Sequence, residues 1–296
     1  MDPIKKGVFF AVASYVSWGL LPLYWHLLNF TSPFHILGSR IVFSLVFTAL
    51  VLFASGNTRW IRLLTEKRSR LYTIGMGFVL ALNWGLYIQA VNTGHTIDAS
   101  LGYYINPLVV VVLGLIFLGE KLTVLQWIAF GLASLGVVLL TVFSGVFPWI
   151  ALLLALSFGL YGLIKKKSSG GVLEALGAET LAAFPLGLAL LFFTPYPAPD
   201  TAALALLSFR QWALLVSTGV ITAIPLLTFA RGAKLLPLAT VGFLQFIQPT
   251  ILFFMSVFAF GEPFPLRNLW AFGCIWAAVV LYCLSLRKKY KIHHER

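Results

Sequence analysis

The sequence predicts an all-α polytopic membrane protein with ten transmembrane helices, arranged as two inverted five-helix repeats with both termini in the cytoplasm. Three observations predict this fold class: the composition, the distribution of basic residues and an internal repeat. Of the 296 residues, 60% are hydrophobic and 10% are charged, and the mean hydropathy is +0.94. Soluble domains carry about 25% charged residues. Lipid must therefore be the solvent for most of this surface.

A membrane-spanning helix needs about 20 mostly apolar residues, and ten stretches of the chain meet this need. Short turns containing Gly, Pro, Asn or Ser, such as NFTSP, SGVFP and GEPFP, separate most of them. The first stretch is expected to be a retained span, because no small-residue cleavage pattern follows it. The predicted spans are 7–29, 33–55, 71–93, 97–118, 123–143, 147–164, 173–194, 211–230, 237–260 and 266–286.

The basic residues orient this bundle. Of the 21 Lys and Arg residues, 18 fall on the side that holds the N-terminus, Arg210 and Arg267 fall on the other side, and Arg40 lies within a span. Cytoplasmic loops carry such an excess of positive charge, so both termini are expected in the cytoplasm. These basic cytoplasmic loops also account for the net charge of +12, so no nucleic-acid partner is expected.

The chain contains an internal repeat. Pro107 is followed by Gly119 and Glu120, and the same spacing recurs 142 residues later, from Pro249 to Gly261-Glu262. WIAFGLASLGVVLL at 127–140 matches LWAFGCIWAAVVLY at 269–282 in six of fourteen positions. The predicted units are 1–145 and 146–286, followed by a basic cytoplasmic tail at 287–296. Each unit has an odd number of spans, so the second must be inverted, an arrangement that places binding sites near the membrane midplane.

The fourth span of each repeat carries polar residues beside its proline. Residues spaced i, i+3 and i+4 share one helix face, and proline leaves the carbonyl four residues earlier without its donor. We interpret these groups as hydrogen-bonding walls of a substrate cavity, with the prolines as hinges. Alternatively, the prolines only bend the helices for packing and the amides bond to neighbouring helices. The residues are Tyr103, Asn106 and Pro107 in the first repeat, and Gln245, Gln248 and Pro249 in the second.

Two ionisable residues lie about 10 Å inside the bilayer, at related depths in the two repeats. Arg40 is in the second span and Glu179 in the seventh. Such groups are costly in lipid unless paired or hydrated, which makes them functional candidates. We expect Arg40 to attract an anionic group or to pair with Glu179, and Glu179 to be the proton-coupling carboxylate. The alternative is a permanent structural ion pair, or side chains that extend to the interface.

Aromatic and amide side chains form stripes on the first and third spans. Trp18, Asn83, Trp84 and Tyr87 lie toward mid-membrane and are predicted to line the cavity, although core packing explains them equally well. Other polar residues receive no functional role. Glu120 and Glu262 are expected in turns at the membrane edge, and Lys165, Lys166 and Lys167 as topology anchors.

Several motifs together give the chain a family resemblance. SYVSWGLLPLYW, NWGLYIQAVN, ASLGYYINPLVVVVLGLIFLGE and TVGFLQFIQPT resemble the RarD-type permeases of the EamA group, within the drug/metabolite transporter superfamily. The resemblance spans almost the whole chain. It implies two EamA units around a central cavity that is lined by the fourth span of each unit. RarD-type proteins are named for predicted chloramphenicol resistance, and relatives export amino acids or other metabolites.

The sequence therefore predicts a secondary active transporter in the inner membrane, most simply an exporter of a small polar or amphipathic molecule by alternating access. The alternatives are a passive channel or facilitator, or a membrane scaffold. An enzyme is not expected, because no H-E-x-x-H, G-x-S-x-G or phosphate-binding glycine loop is present. No cofactor or metal is expected. The sequence leaves open whether the chain forms a homodimer.

Overall fold

The computed structural model of this chain describes residues 2–92, 96–145, 147–168, 170–193, 207–259, 261 and 265–294. Within these ranges, the side chains at 59, 68, 88, 89, 91, 92, 96–99 and 287–294 are not described. All regular structure in the described ranges is helical. The elements are α1 Pro3–His26, α2 Pro33–Ala54, a 3₁₀ turn Arg59–Ile61, α3 Arg62–Thr65, α4 Lys67–Asn92, α5 Thr96–Leu118, α6 Val124–Ser144, α7 Trp149–Lys167, α8 Val172–Phe193, α9 Phe209–Leu235, α10 Leu238–Gln245, α11 Ile247–Phe258 and α12 Asn268–His294.

Every predicted span corresponds to a helix or, for the ninth, to the pair α10 and α11. In the described part of the chain, nine stretches are long and apolar enough to cross a membrane, with α10 and α11 counted as one. The one predicted span outside these nine is the third, at 71–93; it corresponds to α4, which is 26 residues long and begins with Lys67. The last helix continues to His294, so the backbone of the predicted tail is largely helical.

Local sequence signals start and stop these helices. Ser32 accepts a hydrogen bond from the amide of His35, with Pro33 in the first turn, an arrangement that satisfies one unpaired donor of the helix end. Thr123 and Gln126 form a reciprocal capping box at the start of α6. The left-handed Gly145 ends that helix with φ 68°, a backbone conformation that favours glycine. Helix ends are therefore set by residues that satisfy their backbone groups.

The helix packing obeys a two-fold relation between the repeats. The first repeat holds α1, α2, α4, α5 and α6, and the second holds α7, α8, α9, the α10–α11 pair and α12. When the two repeats are exchanged, each contact between non-equivalent helices of the two repeats becomes another contact that the bundle contains. The α1–α9 contact corresponds to α4–α7, α2–α9 to α4–α8, and α5–α7 to α1–α11. The equivalent helices contact each other on the two-fold axis, as α2 with α8, α5 with α10 and α6 with α12.

Glycines allow two of these symmetric crossings to be very close. A Cβ atom on Gly219 of α9 would lie 2.2 Å from the carbonyl carbon of Phe43 on α2. A Cβ atom on Gly77 of α4 would lie 2.6 Å from the carbonyl oxygen of Glu179 on α8. Gly77 and Gly219 are 142 residues apart, which is the repeat interval. Both crossings therefore depend on the missing side chain.

The outside of the bundle is apolar. Large side chains such as Phe78, Phe117, Ile128 and Val142 stay more than half exposed. In water a continuous apolar surface of this kind would drive aggregation, whereas in a bilayer it faces acyl chains. The exposed surface therefore agrees with the membrane environment that the composition predicts.

Short connections make successive helices antiparallel, so the bundle has two ends. One half contains the C-terminal parts of α1 and α4 and the N-terminal parts of α2, α5 and α7, and we call it the cavity half. The opposite half contains the N-terminal part of α1, the C-terminal parts of α7 and α9, and α10, and we call it the packed half. All eight residues of α10 are buried. The two halves therefore differ in packing although the repeat gives them equivalent helices.

Candidate functional site

A cavity of about 170 Å³ lies in the cavity half, between helices of both repeats. All nine residues that the sequence analysis assigned to substrate binding line it. They come from α1, α2, α4 and α5 in the first repeat and from α10 and α11 in the second. The predicted residues are Trp18, Arg40, Asn83, Trp84, Tyr87, Tyr103, Asn106, Gln245 and Gln248, and the others that line it are Leu21, Pro22, Trp25, Gly102, Leu154, Phe158, Leu226 and Leu252.

Arg40 is the charged residue of this lining. Its guanidinium carbon lies 4.3 Å from the ring centroid of Trp84 and 5.0 Å from that of Trp25, distances typical of cation–π contacts. Its Nε donates a hydrogen bond of 3.1 Å to Thr222 Oγ1. No carboxylate pairs with Arg40 among the described side chains. The suggested direct pair with Glu179 is therefore not formed.

Aromatic rings form the wall toward the packed half. Trp18 contacts Phe158 and Phe229 with ring centroids 5.5 Å apart in both cases. Tyr15 lies on the far side of Trp18, is fully buried and donates a hydrogen bond to the carbonyl of Val241. Tyr161 packs beneath Phe158 and Phe229. The cavity thus ends on a closed aromatic layer.

The amide residues of the lining differ in how well they are satisfied. Asn83 Nδ2 donates to the carbonyl of Leu154 and to Ser157 Oγ, at 3.0 and 2.8 Å, so it joins α4 to α7. The Asn106 Oδ1 and Gln245 Oε1 atoms are buried and have no hydrogen-bond partner among the described residues. A buried polar atom without a partner costs about 1–3 kcal/mol. Asn106 and Gln245 therefore line the cavity while each keeps a buried oxygen without a partner.

The two repeated prolines affect their helices differently. α5 runs without interruption through Pro107, whereas the ninth span breaks at Phe246, three residues before Pro249. The Pro249 carbonyl accepts a hydrogen bond from the Tyr104 hydroxyl at 3.2 Å, and Gly242 packs against the Pro107 carbonyl. The fourth spans of the repeats therefore meet at their prolines. Their function as hinges stays a prediction.

Glu179 lies in the packed half and does not line the cavity. Its Oε1 is 2.7 Å from Lys165 Nζ, its Oε2 accepts from the Tyr161 hydroxyl at 3.3 Å, and the side chains of the ion pair are 2% exposed. Lys165 is therefore not a topology anchor at the interface. It was misplaced because one lysine in a run of three gives no sequence signal of burial.

Other charged groups close the packed half. The Glu120 carboxylate accepts hydrogen bonds from the first two amides of α10, at Leu238 and Ala239, at 2.6 and 2.8 Å. Glu120 is therefore not merely a turn residue, because an anion at a helix N-terminus satisfies unpaired donors. Lys166 donates to the carbonyls of Ala233 and Leu236, so it too has a structural contact. Glu262, the counterpart of Glu120 in the sequence repeat, lies outside the described residues.

Part of the site was not predicted. Phe158 on α7 and Trp25 on α1 line the cavity, and Thr222 on α9 bonds to Arg40. The sequence does resemble itself weakly between Ser14-Tyr15 and Ser157-Phe158, but Tyr15 does not line the cavity, so this match does not identify Phe158. No signal in a single sequence identifies Thr222.

The bundle, its two-fold packing and its central cavity define the class of multi-helical membrane transporters. The EamA-like transporter family model matches residues 5–142 and 147–284, two copies that begin 142 residues apart. The chain belongs to this family. The two-repeat organisation predicted from the sequence is therefore confirmed.

Several similar proteins match nearly the whole chain. An uncharacterized transporter of Bacillus subtilis, YojE, is 44% identical over 285 residues, which cover 95% of this chain and 94% of the relative. Protein RarD of Streptomyces exfoliatus is 41% identical, over 94% of this chain and 88% of that protein. The chloramphenicol-sensitive protein RarD of Pseudomonas aeruginosa is 31% identical, over 93% of each chain. These relatives are named as transporters or as RarD proteins and not as enzymes.

A solved crystal structure has the same fold, with a TM-score of 0.74 at 18% identity, over 96% of this chain and 98% of that one. The RarD-type resemblance is confirmed, and so is the predicted all-helical, two-repeat membrane fold; the orientation of the termini stays a prediction. The chain is a multi-pass membrane protein of a transporter family.

Proposed function

We propose that this protein is a secondary active transporter of the inner membrane that exports a small polar or amphipathic molecule, amino-acid-like or chloramphenicol-like, by alternating access. The distribution of basic residues favours a cytoplasmic position for both termini. With that orientation the packed half faces the cytoplasm and the cavity half faces the opposite side. The observation that supports the proposal best is this asymmetry, because a transporter exposes its midplane site to one side at a time.

The cavity lining suits this substrate class. Aromatic and aliphatic walls can accommodate the apolar part of a ligand, and a few polar groups can fix its orientation. Asn106 and Gln245 each have a buried carbonyl oxygen without a partner among the described residues, and rotation of either side chain toward the cavity would let that oxygen accept an N–H or O–H group of a substrate. Pro107 and Pro249 act as hinges in this proposal, because both sit where the fourth spans of the repeats cross.

Glu179 is the proposed proton-coupling carboxylate. It is buried, paired with Lys165 and separated from the cavity by Tyr161 and the aromatic layer. Protonation of Glu179 would remove its attraction to Lys165 and would loosen the packed half, which would link a proton to opening of that half.

The test is transport in proteoliposomes with an imposed proton gradient, using a panel of amino acids, small carboxylates and chloramphenicol. We expect gradient-dependent movement of at least one compound, and loss of the gradient dependence in E179Q. The E179Q/K165M double variant controls for an unpaired Lys165. If both variants keep full gradient-dependent transport, Glu179 has no part in coupling.

A passive channel is the second candidate, and cysteine accessibility separates it from a transporter. Single cysteines replace Asn106 or Gln248 in a chain whose Cys274 and Cys283 have been changed to serine. A transporter should expose each cysteine to a membrane-impermeant reagent from one side at a time. Labelling from both sides at once would favour a channel, and a complete lack of transport would favour a scaffold.

A further inference from the structure

Arg40 is a positive charge within a membrane helix, and the described side chains provide no anion for it. It lies seven residues from the start of α2, and the ion pair found among the described residues joins Lys165 to Glu179 instead. A charged group at this depth is costly in a bilayer and persists when it is paired, hydrated or used. The described protein contacts therefore leave the positive charge of Arg40 without a counter-ion.

The guanidinium is nevertheless held in a defined position. The indoles of Trp25 and Trp84 lie against it, and Thr222 accepts the hydrogen bond from its Nε. An arginine has five N–H donors, so four remain on its two terminal nitrogens without an acceptor among the described residues. These four donors form the fork that binds a carboxylate through two parallel hydrogen bonds.

The surroundings of this fork limit the kind of ligand that it can bind. The cavity has a volume of about 170 Å³. Its lining contains apolar side chains such as Leu21, Pro22, Phe158 and Leu252, and it contains no second cation. A ligand with one carboxylate and one compact apolar group matches this arrangement, whereas a dianion would leave a charge without a partner.

We propose that the transported substrate is a small amphipathic monocarboxylate whose carboxylate binds the guanidinium of Arg40 and whose apolar part packs against Trp18 and Phe158. This inference rests on the proposed function, because it takes the cavity to be the transport site. Arg40 selects the substrate by charge in this account. The rings of Trp25 and Trp84 restrict the orientation of the Arg40 guanidinium, and this lowers the conformational entropy that is lost on binding.

Three probes of matched shape test the inference by isothermal titration of the purified full-length protein at neutral pH. They are phenylacetate, its neutral amide phenylacetamide, and the cation 2-phenylethylamine. Hydrogen bonds to charged groups contribute about 1.5–3 kcal/mol, so we expect phenylacetate to bind about tenfold or more tightly than phenylacetamide. In R40Q the two should bind within about twofold of each other, and R40K should keep part of the preference, because it retains the charge without the fork.

R267Q is the matched control. Arg267 is exposed and donates to the Phe143 carbonyl away from the cavity, so R267Q should keep the preference for phenylacetate. D98N is a second control. The carboxylate of Asp98 lies outside the described side chains and is five residues before Tyr103 in the sequence. If Arg40 binds the ligand and not Asp98, D98N should keep the preference for phenylacetate. Thermal unfolding establishes that R40Q and R40K are folded. The inference is overturned if phenylacetate does not bind, if it binds no better than phenylacetamide, if R40Q keeps the preference, or if the preference appears only in D98N.

Failure of this inference is distinguishable from failure of the proposed function. Transport of phenylacetamide or chloramphenicol in proteoliposomes, without discrimination in favour of phenylacetate, would leave the transporter intact and overturn the carboxylate assignment. Binding of phenylacetate at Arg40 without transport of any compound would support the site and overturn the transporter.

Discussion

Arg40 and Glu179 occupy related positions in the two repeats but have opposite surroundings. Each lies seven residues from the start of its helix. In the packed half, Glu179 has Lys165 and Tyr161 as partners and is closed off from the cavity. In the cavity half, Arg40 has two indole faces, one threonine and open space. The comparison indicates that one half satisfies its buried charge with protein groups, whereas the other leaves that charge for something that enters the cavity.

Packing follows the same division. At the packed end, Glu120 bonds to the start of α10, and Lys166 bonds to carbonyls at the end of α9. These contacts join the end of α5 to the start of α10 and the end of α7 to the end of α9, so they resist separation of these helices in the packed half. Because the repeat gives both halves equivalent helices, the difference arises from side-chain partners and not from topology. If the proposed alternating access is correct, the packed half must lose such contacts when it opens.

The largest effect is expected from breaking the buried pair in the packed half. K165M leaves Glu179 without its cation, and removal of one partner of a buried ion pair costs about 3–5 kcal/mol. We expect a large decrease in the free energy of unfolding, measured as thermal or denaturant unfolding of the detergent-solubilised protein. The K165M/E179M double variant should recover most of the loss, since apolar replacement of both partners removes the unpaired charge.

K167M is the matched control for that prediction, because Lys167 is exposed at the end of the same helix. It should change stability by less than about 0.5 kcal/mol. Equal effects of K165M and K167M would contradict a special role for the buried pair and would remove the main contrast between the halves.

A second, smaller effect is expected at the α2–α9 crossing, beside the boundary between the halves. In G219V the new side chain would overlap the Phe43 backbone, where even a Cβ atom would lie 2.2 Å from the carbonyl carbon. Overpacking of this kind costs about 1–3 kcal/mol, so the midpoint of thermal unfolding should fall. G131A is the control, because nothing lies within 4 Å of a Cβ atom on Gly131. A stable G219V would mean that the two helices are less closely packed than described.

The fold was largely predictable from the sequence because lipid imposes strict rules. Apolar stretches of about 20 residues and a 142-residue repeat are visible in the residues themselves, and they agree with the helices, the two-fold packing and the family match. The least predictable feature was the break at Phe246, because Pro107 lies in an equivalent position and leaves α5 continuous. Proline removes one backbone hydrogen bond, and α5 stays continuous despite that loss whereas the ninth span breaks.

The site was predictable only in part. Polar and aromatic residues at mid-membrane depth have few favourable locations, and for that reason Asn106, Gln245 and Trp18 could be placed at the cavity. Specific pairs could not be predicted, because they depend on which helices are neighbours. Lys165 lies fourteen residues from Glu179 in the sequence, and Thr222 lies 182 residues from Arg40. Both partners are known only once the bundle is assembled.

A third prediction concerns the contact between Glu120 and the first turn of α10. E120Q keeps the shape but loses the charge that favours the helix N-terminus, an effect of about 1 kcal/mol. We expect faster hydrogen exchange at the amides of Leu238 and Ala239, with little change in the cavity half. E66Q, at an exposed glutamate, should leave those amides unchanged. Faster exchange throughout the bundle would indicate that Glu120 stabilises the whole fold and not the packed half alone.

The smallest effect is expected in the cavity half, from W84L. The Trp84 ring lies 4.3 Å from the guanidinium carbon of Arg40, and a cation–π contact contributes about 0.5–2 kcal/mol. Loss of the ring leaves Thr222 and Trp25 to hold the fork, so affinity for phenylacetate should fall by about threefold to tenfold. Thermal unfolding measures the separate cost of removing a ring that packs against the core. W127L is the control, because Trp127 is half-exposed on α6 and away from the cavity. Phenylacetamide decides the interpretation: if W84L weakens its binding as much as that of phenylacetate, the ring acts as an apolar wall for either ligand and not through the charge of Arg40.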